Sequence, residues 1–430
     1  MRILIATPSY PPKIGGGERY TQALAEAAVQ AGHAVTIITS DIAENAEFWR
    51  WHPRQRHARP SESVEDGIRV LRCPALGLPG GWPTLTLWRK AMVMLGMLGP
   101  RTTPLLERMA RLIPNVPSLE DEFERLGELD LVHAYNLSWE YPLIVAWRTA
   151  QKRGIPFVVT PYAHLGAEVS ARVTRNITMP HQLRAMQGAD AILALPTAEA
   201  QGLIALGLRP DHVHAVGSGY DPHPAVAGGP DPVQHIEGPV VAFVGRISKD
   251  KGALVAADAV RMLRRTASPP PTLVLMGPLD DSFARYYARM SARERAGIVL
   301  LGPVSEQVKH TVLERAEMLV LPSRVDSFGI VLLEAWSHGK PVIGARAGGI
   351  PGVIDHGVDG LLVPWGDHRA LAEAIETILG DPDRARRMGD AGRAKTAARY
   401  TWPAVYAQVE ELYQRVLVAR GHSTAAMDQS

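Results

Sequence analysis

Short apolar runs that end at glycine or proline alternate with amphipathic segments along this chain, and the series occurs twice with a break between. A run such as Met318-Leu319-Val320-Leu321-Pro322 is apolar at every position until the proline, which suits a strand buried on both faces of a parallel sheet. Parallel strands need crossover helices, so the pattern restricts the fold to α/β. In the first half, strands are expected at 2–6, 34–39, 68–72, 129–134, 157–160 and 191–195. Helices are expected at 18–31, stopped by Gly32, and at 139–152, stopped by Gly154. Residues 221–232 hold four prolines and two glycines in twelve positions and read as a linker. Strands resume at 240–244, 273–276, 298–301, 318–321, 342–345 and 361–363, with later helices at 369–379, 384–398 and 405–418. Two doubly wound domains are expected, over 1–221 and 239–401, joined by 222–238.

Composition excludes several function classes. A chain of 430 residues exceeds one ordinary core, and 46% hydrophobic against 21% charged residues is a globular balance. The net charge of +2 is far from that of a nucleic-acid binder. Cys73 is the only cysteine, so neither an intrachain disulfide nor a cysteine zinc site can form, which fits a reducing compartment. The N-terminal apolar run is too short for a signal core, and no stretch approaches the ~20 apolar residues of a membrane span. A soluble, cytoplasmic protein is expected.

Four segments carry candidate chemistry. Gly15-Gly16-Gly17-Glu18-Arg19 lies between the first strand and first helix, where free amides and the helix dipole favour an anion. Its spacing matches neither the dinucleotide nor the P-loop fingerprint, and alone a triple glycine is more often just a tight turn. In Gly245-Arg246-Ile247-Ser248-Lys249-Asp250-Lys251-Gly252, Arg246 and Lys251 flank the entry to a helix. Cations there oppose the macrodipole unless an anion sits between them; the bland alternative is a solvated surface pair. Tyr162-Ala163-His164 follows a strand at its C-terminal end, the edge that faces a ligand cleft. In Ser323–Glu334, the amides of Phe328, Gly329 and Ile330 are free at a helix start, Asp326 is an N-cap residue type, and Glu334 reaches toward the same cleft.

The Asp326–Glu334 segment resembles the signature of the retaining glycosyltransferases of family four, which have the GT-B fold of two Rossmann-like domains facing a central cleft. That family usually carries Glu at both ends (E-x7-E), so Asp326 is a departure. The resemblance extends over nearly the whole chain: to G-G-x-E-R at the glycine loop, G-R-x-x-x-x-K-G at 245–252, a hinge turn at Gly219-Tyr220-Asp221, and D-G-x-x-G-L-L-V near 355–363. It implies that Gly16 and Gly17 contact donor diphosphate and acceptor, and that Arg246 and Lys251 hold the diphosphate without a metal. It also implies that His164 contacts the transferred hexose, Asp326 the sugar hydroxyls, and Glu334 the ribose, while Gly277 and Val304 lie beside the base. A final helix over 402–418 would cross back onto the first domain.

The implied activity is transfer of a hexose from a UDP- or GDP-sugar to a hydroxyl acceptor, with retention and with no cofactor or essential metal. A sugar-nucleotide-binding subunit without catalysis and a nonhydrolysing sugar-nucleotide 2-epimerase are the alternatives. One segment does not fit simple βα units. Between the strands near 72 and 129, Gly80-Gly81-Trp82-Pro83 leads into a methionine-rich apolar stretch flanked by Arg89, Lys90, Arg101, Arg108 and Arg111. Residues 80–112 read as a helical pair with a buried face, as an acceptor lid, or as a peripheral contact with the inner membrane face.

Overall fold

The computed structural model describes residues 1–13, 15–50, 59–163, 165, 171–220, 230–324, 326 and 328–421. The first half builds one eight-stranded sheet from β1 (Arg2–Ala6), β2 (Ala34–Ser40), β3 (Ser61–Glu65), β4 (Ile68–Cys73), β5 (Leu131–Tyr135), β6 (Phe157–Thr160), β7 (Ala191–Ala194) and β8 (Val213–Ala215). Their order is β3-β4-β2-β1-β5-β6-β7-β8, parallel except for the β3–β4 pair. The second half builds a parallel sheet from β9 (Val240–Val244), β10 (Thr272–Met276), β11 (Ile298–Gly302), β12 (Met318–Leu321), β13 (Val342–Ala345) and β14 (Gly360–Val363), in the order β11-β10-β9-β12-β13-β14. This is the GT-B arrangement of two parallel-sheet α/β domains.

Both sheets change winding direction at the middle, between β1 and β5 and between β9 and β12. Loops leaving adjacent strands at such a point diverge and open a crevice at the carboxyl ends. Strand interiors are buried on both faces, as their unbroken apolar runs require. Two strands escape the expected set. β3, Ser-Glu-Ser-Val-Glu, is a polar edge strand, turned back onto β4 by Asp66 and Gly67 at φ 50° and 80°. β8 is only three residues long.

The helix Trp402–Ala419 lies on the first sheet, where Trp402, Val405, Tyr406, Val409 and Tyr413 share a buried cluster with Ile3 and Ile5. Its Tyr413 hydroxyl sits 2.6 Å from His133 Nδ1, while His133 Nε2 is 2.8 Å from Thr160 Oγ1. Complete burial lowers His133 to about 3, so it is a neutral core group. Tyr220 joins the halves: its N–H donates to Tyr400 O at 2.6 Å, and its hydroxyl is 3.0 Å from Ser337 Oγ. The expected linker residues 222–229, and Asp221 of the hinge turn, lie outside the described residues.

The insertion folds as helices Gly81–Gly96 and Thr103–Ala110 around a small core of Leu85, Met92, Leu106, Met109 and Met179. Arg89 locks it down, donating to both oxygens of buried Glu140 at 2.5 and 2.7 Å and to Asn176 O at 2.6 Å. The paired-helix reading with a buried face therefore holds.

Candidate active site

A cleft of about 1120 Å³ lies between the carboxyl edges of the two sheets, with walls from both domains. On the second domain's wall, β9 leads into Gly245 and Arg246. Gly245 takes φ 137°, its N–H donates to Met276 O, and a Cβ on neighbouring Gly277 would lie 2.1 Å from Gly245 O. Two glycines are thus needed for these strand ends to pack, and Arg246 emerges exposed, with no hydrogen-bond or ion-pair partner among the described residues. Six residues on, Gly252 takes φ 79° and its Cα passes so near β12 that a Cβ would meet Pro322 O at 2.0 Å. That approach places Lys251 Nζ 2.6 Å from Asp326 Oδ1.

The other Asp326 oxygen, Oδ2, is buried and has no partner among the described residues. Its backbone is fixed from behind, since Gly349 N–H donates to Asp326 O at 2.7 Å and a Cβ on Gly348 would lie 2.5 Å from the same oxygen. Gly329, at φ 83°, then turns the chain into the helix Ile330–Ser337. Phe328, Gly329 and Ile330 all line the cleft, and the Gly329 and Ile330 amides meet no carbonyl among the described residues.

On the first domain's wall, the helix Gly16–Gln30 starts at the cleft with Gly16, Gly17 and Glu18. Burial pushes Glu18 up, but the Lys13 ammonium and the Ser9 hydroxyl (2.6 Å) outweigh it and hold the carboxyl below its usual range. A Cβ on Gly17 would press on the Tyr162 ring at 3.2 Å, and the Tyr162 hydroxyl donates to Gly17 O at 3.2 Å. Tyr162 has φ 49° and Asn136, at the end of β5, has φ 73°. Such values in non-glycine residues are uncommon and cluster where function constrains the backbone. Behind them, buried Glu199 accepts the Ala163 N–H, and the Leu195 N–H at 3.0 Å. Burial raises its carboxyl to about 7, against these two donors, which favour the charged form.

Of the residues expected from sequence, Gly16, Gly17, Arg246, Lys251, Asp326, Phe328, Gly329 and Ile330 converge on this cleft. His164 lies outside the described residues. Gly277, Val304 and Glu334 do not line it. Gly277 sits one strand over as a packing glycine. Glu334 is 8% exposed, and its Oε1 accepts from Lys309 Nζ at 2.7 Å rather than facing the cleft. Lys251, expected as an open cation, is instead paired with Asp326. Glu18 and Tyr162 stand inside segments marked from sequence but were given no role of their own, and Asn136 and Glu199 were not singled out. Of these last two only Asn136 left a signal: an Asn-Leu-Ser turn after a buried strand, Asn being among the residues that tolerate positive φ.

Comparison with known proteins bears on this geometry. The profile for glycosyl transferases group 1 matches residues 233–395, and that for a glycosyl transferase 4-like domain matches residues 15–219. Alpha-maltose-1-phosphate synthase of Mycolicibacterium smegmatis is 32% identical over 273 residues, covering 58% of this chain and 67% of the relative. D-inositol 3-phosphate glycosyltransferase of Thermobispora bispora is 31% identical over 320 residues, covering 69% and 73%. In fold, Anabaena HepE in complex with UDP superposes with TM-score 0.66 at 20% identity, over 96% of this chain and 100% of that one. Sucrose-phosphate synthase from Thermosynechococcus elongatus gives 0.68 at 21%, over 97% and 100%. This chain belongs to the group 1, family-four-like glycosyltransferases, and it is an enzyme of the GT-B fold.

Proposed function

We propose that the protein transfers a hexose from a UDP- or GDP-sugar to a hydroxyl acceptor, with retention, in polysaccharide, glycolipid or glycoconjugate synthesis. The observation that carries this reading is one wall of the cleft: unpaired Arg246, the Lys251–Asp326 pair, and the unpartnered, buried Asp326 Oδ2. The cations suit a diphosphate leaving group, whose growing charge they would stabilise as it departs. Asp326 Oδ2 is an acceptor ready for a sugar hydroxyl. The first-domain wall, with the glycine loop, Asn136 and Ser138, is the acceptor side, and His164 is proposed to contact the transferred hexose. Retention rests on the family likeness.

Support for a nucleotide-sugar donor comes from fold neighbours described in complex with UDP and UDP-glucose. With Arg246 and Lys251 supplying positive charge, no divalent metal or other cofactor is assigned a role. Peripheral contact with a membrane through residues 80–112, at its cytoplasmic face, is proposed alongside this activity and does not rest on it. Among the described residues no helix is long and apolar enough to cross a membrane.

The test is a thermal-shift series with UDP-, GDP- and ADP-sugars, followed by product analysis in the presence of a chelator. Stabilisation by a UDP- or GDP-sugar and metal-free transfer with retained configuration are expected. No shift with any of them, or an inverted product, would refute the proposal.

A further inference from the structure

The helix Gly81–Gly96 buries Leu85 and Met92 and leaves its opposite face bare. Leu87, Met94, Met97 and Leu98 are 70, 70, 66 and 74% exposed, and Trp82 and Leu105 extend the patch at 56 and 48%. Six of the thirteen exposed large apolar side chains among the described residues fall within these 24 positions. Scattered singly such residues need no explanation, but a contiguous patch marks an interaction surface.

Charge narrows the partner. From Gly67 through Leu106 the sequence contains no Asp or Glu, and five Arg or Lys. Arg69, Arg72 and Arg89 are neutralised by Glu62, Glu65 and Glu140. Lys90, Arg101 and, just beyond, Arg108 are exposed and have no acidic partner among the described residues. Positions 87, 90, 94 and 97 fall at steps of three and four along the helix and its C-cap, so Lys90 shares one helical stripe with Leu87, Met94 and Met97, and exposed Arg101 follows in the short turn Pro100–Thr102 just past the end of that helix.

We infer that this stripe docks on a bilayer containing anionic lipid, its apolar side chains at the acyl boundary and its cations among the headgroup phosphates. A second copy of the chain fits the surface less well, because facing patches would set cation against cation with no acid to answer them. The surface is also fixed relative to the cleft. Arg89 ties the helix to Glu140, and Asn136 and Ser138, just before it, line the acceptor wall. If the proposed transfer is right, docking would hold that wall near acceptors lodged in the membrane; the docking itself does not depend on that reading.

Co-sedimentation of the full chain with phosphatidylcholine vesicles, with and without about one-third phosphatidylglycerol, tests it without any substrate. Binding to the anionic vesicles that weakens with salt is expected. Met94→Glu/Leu98→Glu and Lys90→Glu/Arg101→Glu should each lower partitioning at least ~10-fold, with melting temperature and donor hydrolysis unchanged. Absence of binding to anionic vesicles, or variants that bind like the parent, would overturn the inference. So would a dimer, seen by light scattering, that these substitutions dissociate without any vesicle binding by the parent. Failure of the transferase reading would leave vesicle binding intact, so the two are separable.

Discussion

Lys251 Nζ lies 2.6 Å from Asp326 Oδ1 across 75 residues of sequence, and the pair closes the switch point where β9 and β12 part. One of the two cations expected to await a diphosphate therefore has an internal anion beside it. The two side chains are 21 and 17% exposed, so the pair is only partly desolvated. An arriving diphosphate would compete with Asp326 for the same ammonium, and a sugar hydroxyl could then take up the carboxylate.

Arg246→Ala and Lys251→Ala should each lower turnover by ~10²-fold or more, the scale of a lost charge-stabilising donor. Steady-state kinetics with saturating donor would show it. Near-parental kcat in both variants would dismiss the leaving-group role.

Asp326→Asn keeps the size of the side chain and removes its charge. Freed of its partner, Lys251 should bind free nucleoside diphosphate as tightly as the parent or more so, while KM for the nucleotide sugar rises. Calorimetry beside kinetics separates these, and a parallel loss of both would mean that Asp326 only positions Lys251.

Lys309 and Glu334 form a buried pair, 10 and 11% exposed. Lys309→Met leaves the Glu334 carboxylate buried without its cation and should cost about 3–5 kcal/mol in denaturant unfolding. Glu334→Gln should cost less, because Lys309 keeps Glu306 at 2.7 Å. The reverse ranking would contradict the pairing.

Gly252→Ala places a methyl 2.0 Å from the Pro322 carbonyl at φ 79°. The backbone conformation alone costs about 1–2 kcal/mol, and a backbone atom cannot step aside as a side chain can. Lower melting temperature together with weakened nucleotide binding is expected, since the loop that carries Lys251 must move.

Glu199 gives a pH signature. Its folded value is raised to about 7 from 4.5, so the folded state binds the proton more tightly than the unfolded one. The resulting stability is fully present below about 4.5 and is lost as pH rises through about 7, with a slope of at most ~1.4 kcal/mol per pH unit. His133 acts oppositely: lowered to about 3 from 6.5, it contributes stability above 6.5 that is lost as pH falls. Subtracting the unfolding profile of Glu199→Gln from that of the parent isolates the first slope. A difference flat between pH 4.5 and 7 would show that Glu199 is not held protonated.

The sequence by itself settled the strands whose both faces are buried, because an unbroken apolar run reports that environment residue by residue. β1, β6, β9, β12 and β13 begin and end at the expected positions. β3 escaped because an edge strand with a solvated face has no such run. Gly16, Gly17, Arg246, Lys251, Asp326 and the helix start at Phe328, Gly329 and Ile330 were legible for a related reason: a glycine or charge at a strand end or helix start is a local conflict that a ligand would relieve. Tertiary structure alone decided where each charge is spent. Glu334 meets Lys309 25 residues upstream, Lys251 meets Asp326 75 residues downstream, and Glu199 is buried under a turn from another strand. Spacing along a chain cannot report such contacts, since electrostatic energy depends on distance through space and on the burial that packing imposes.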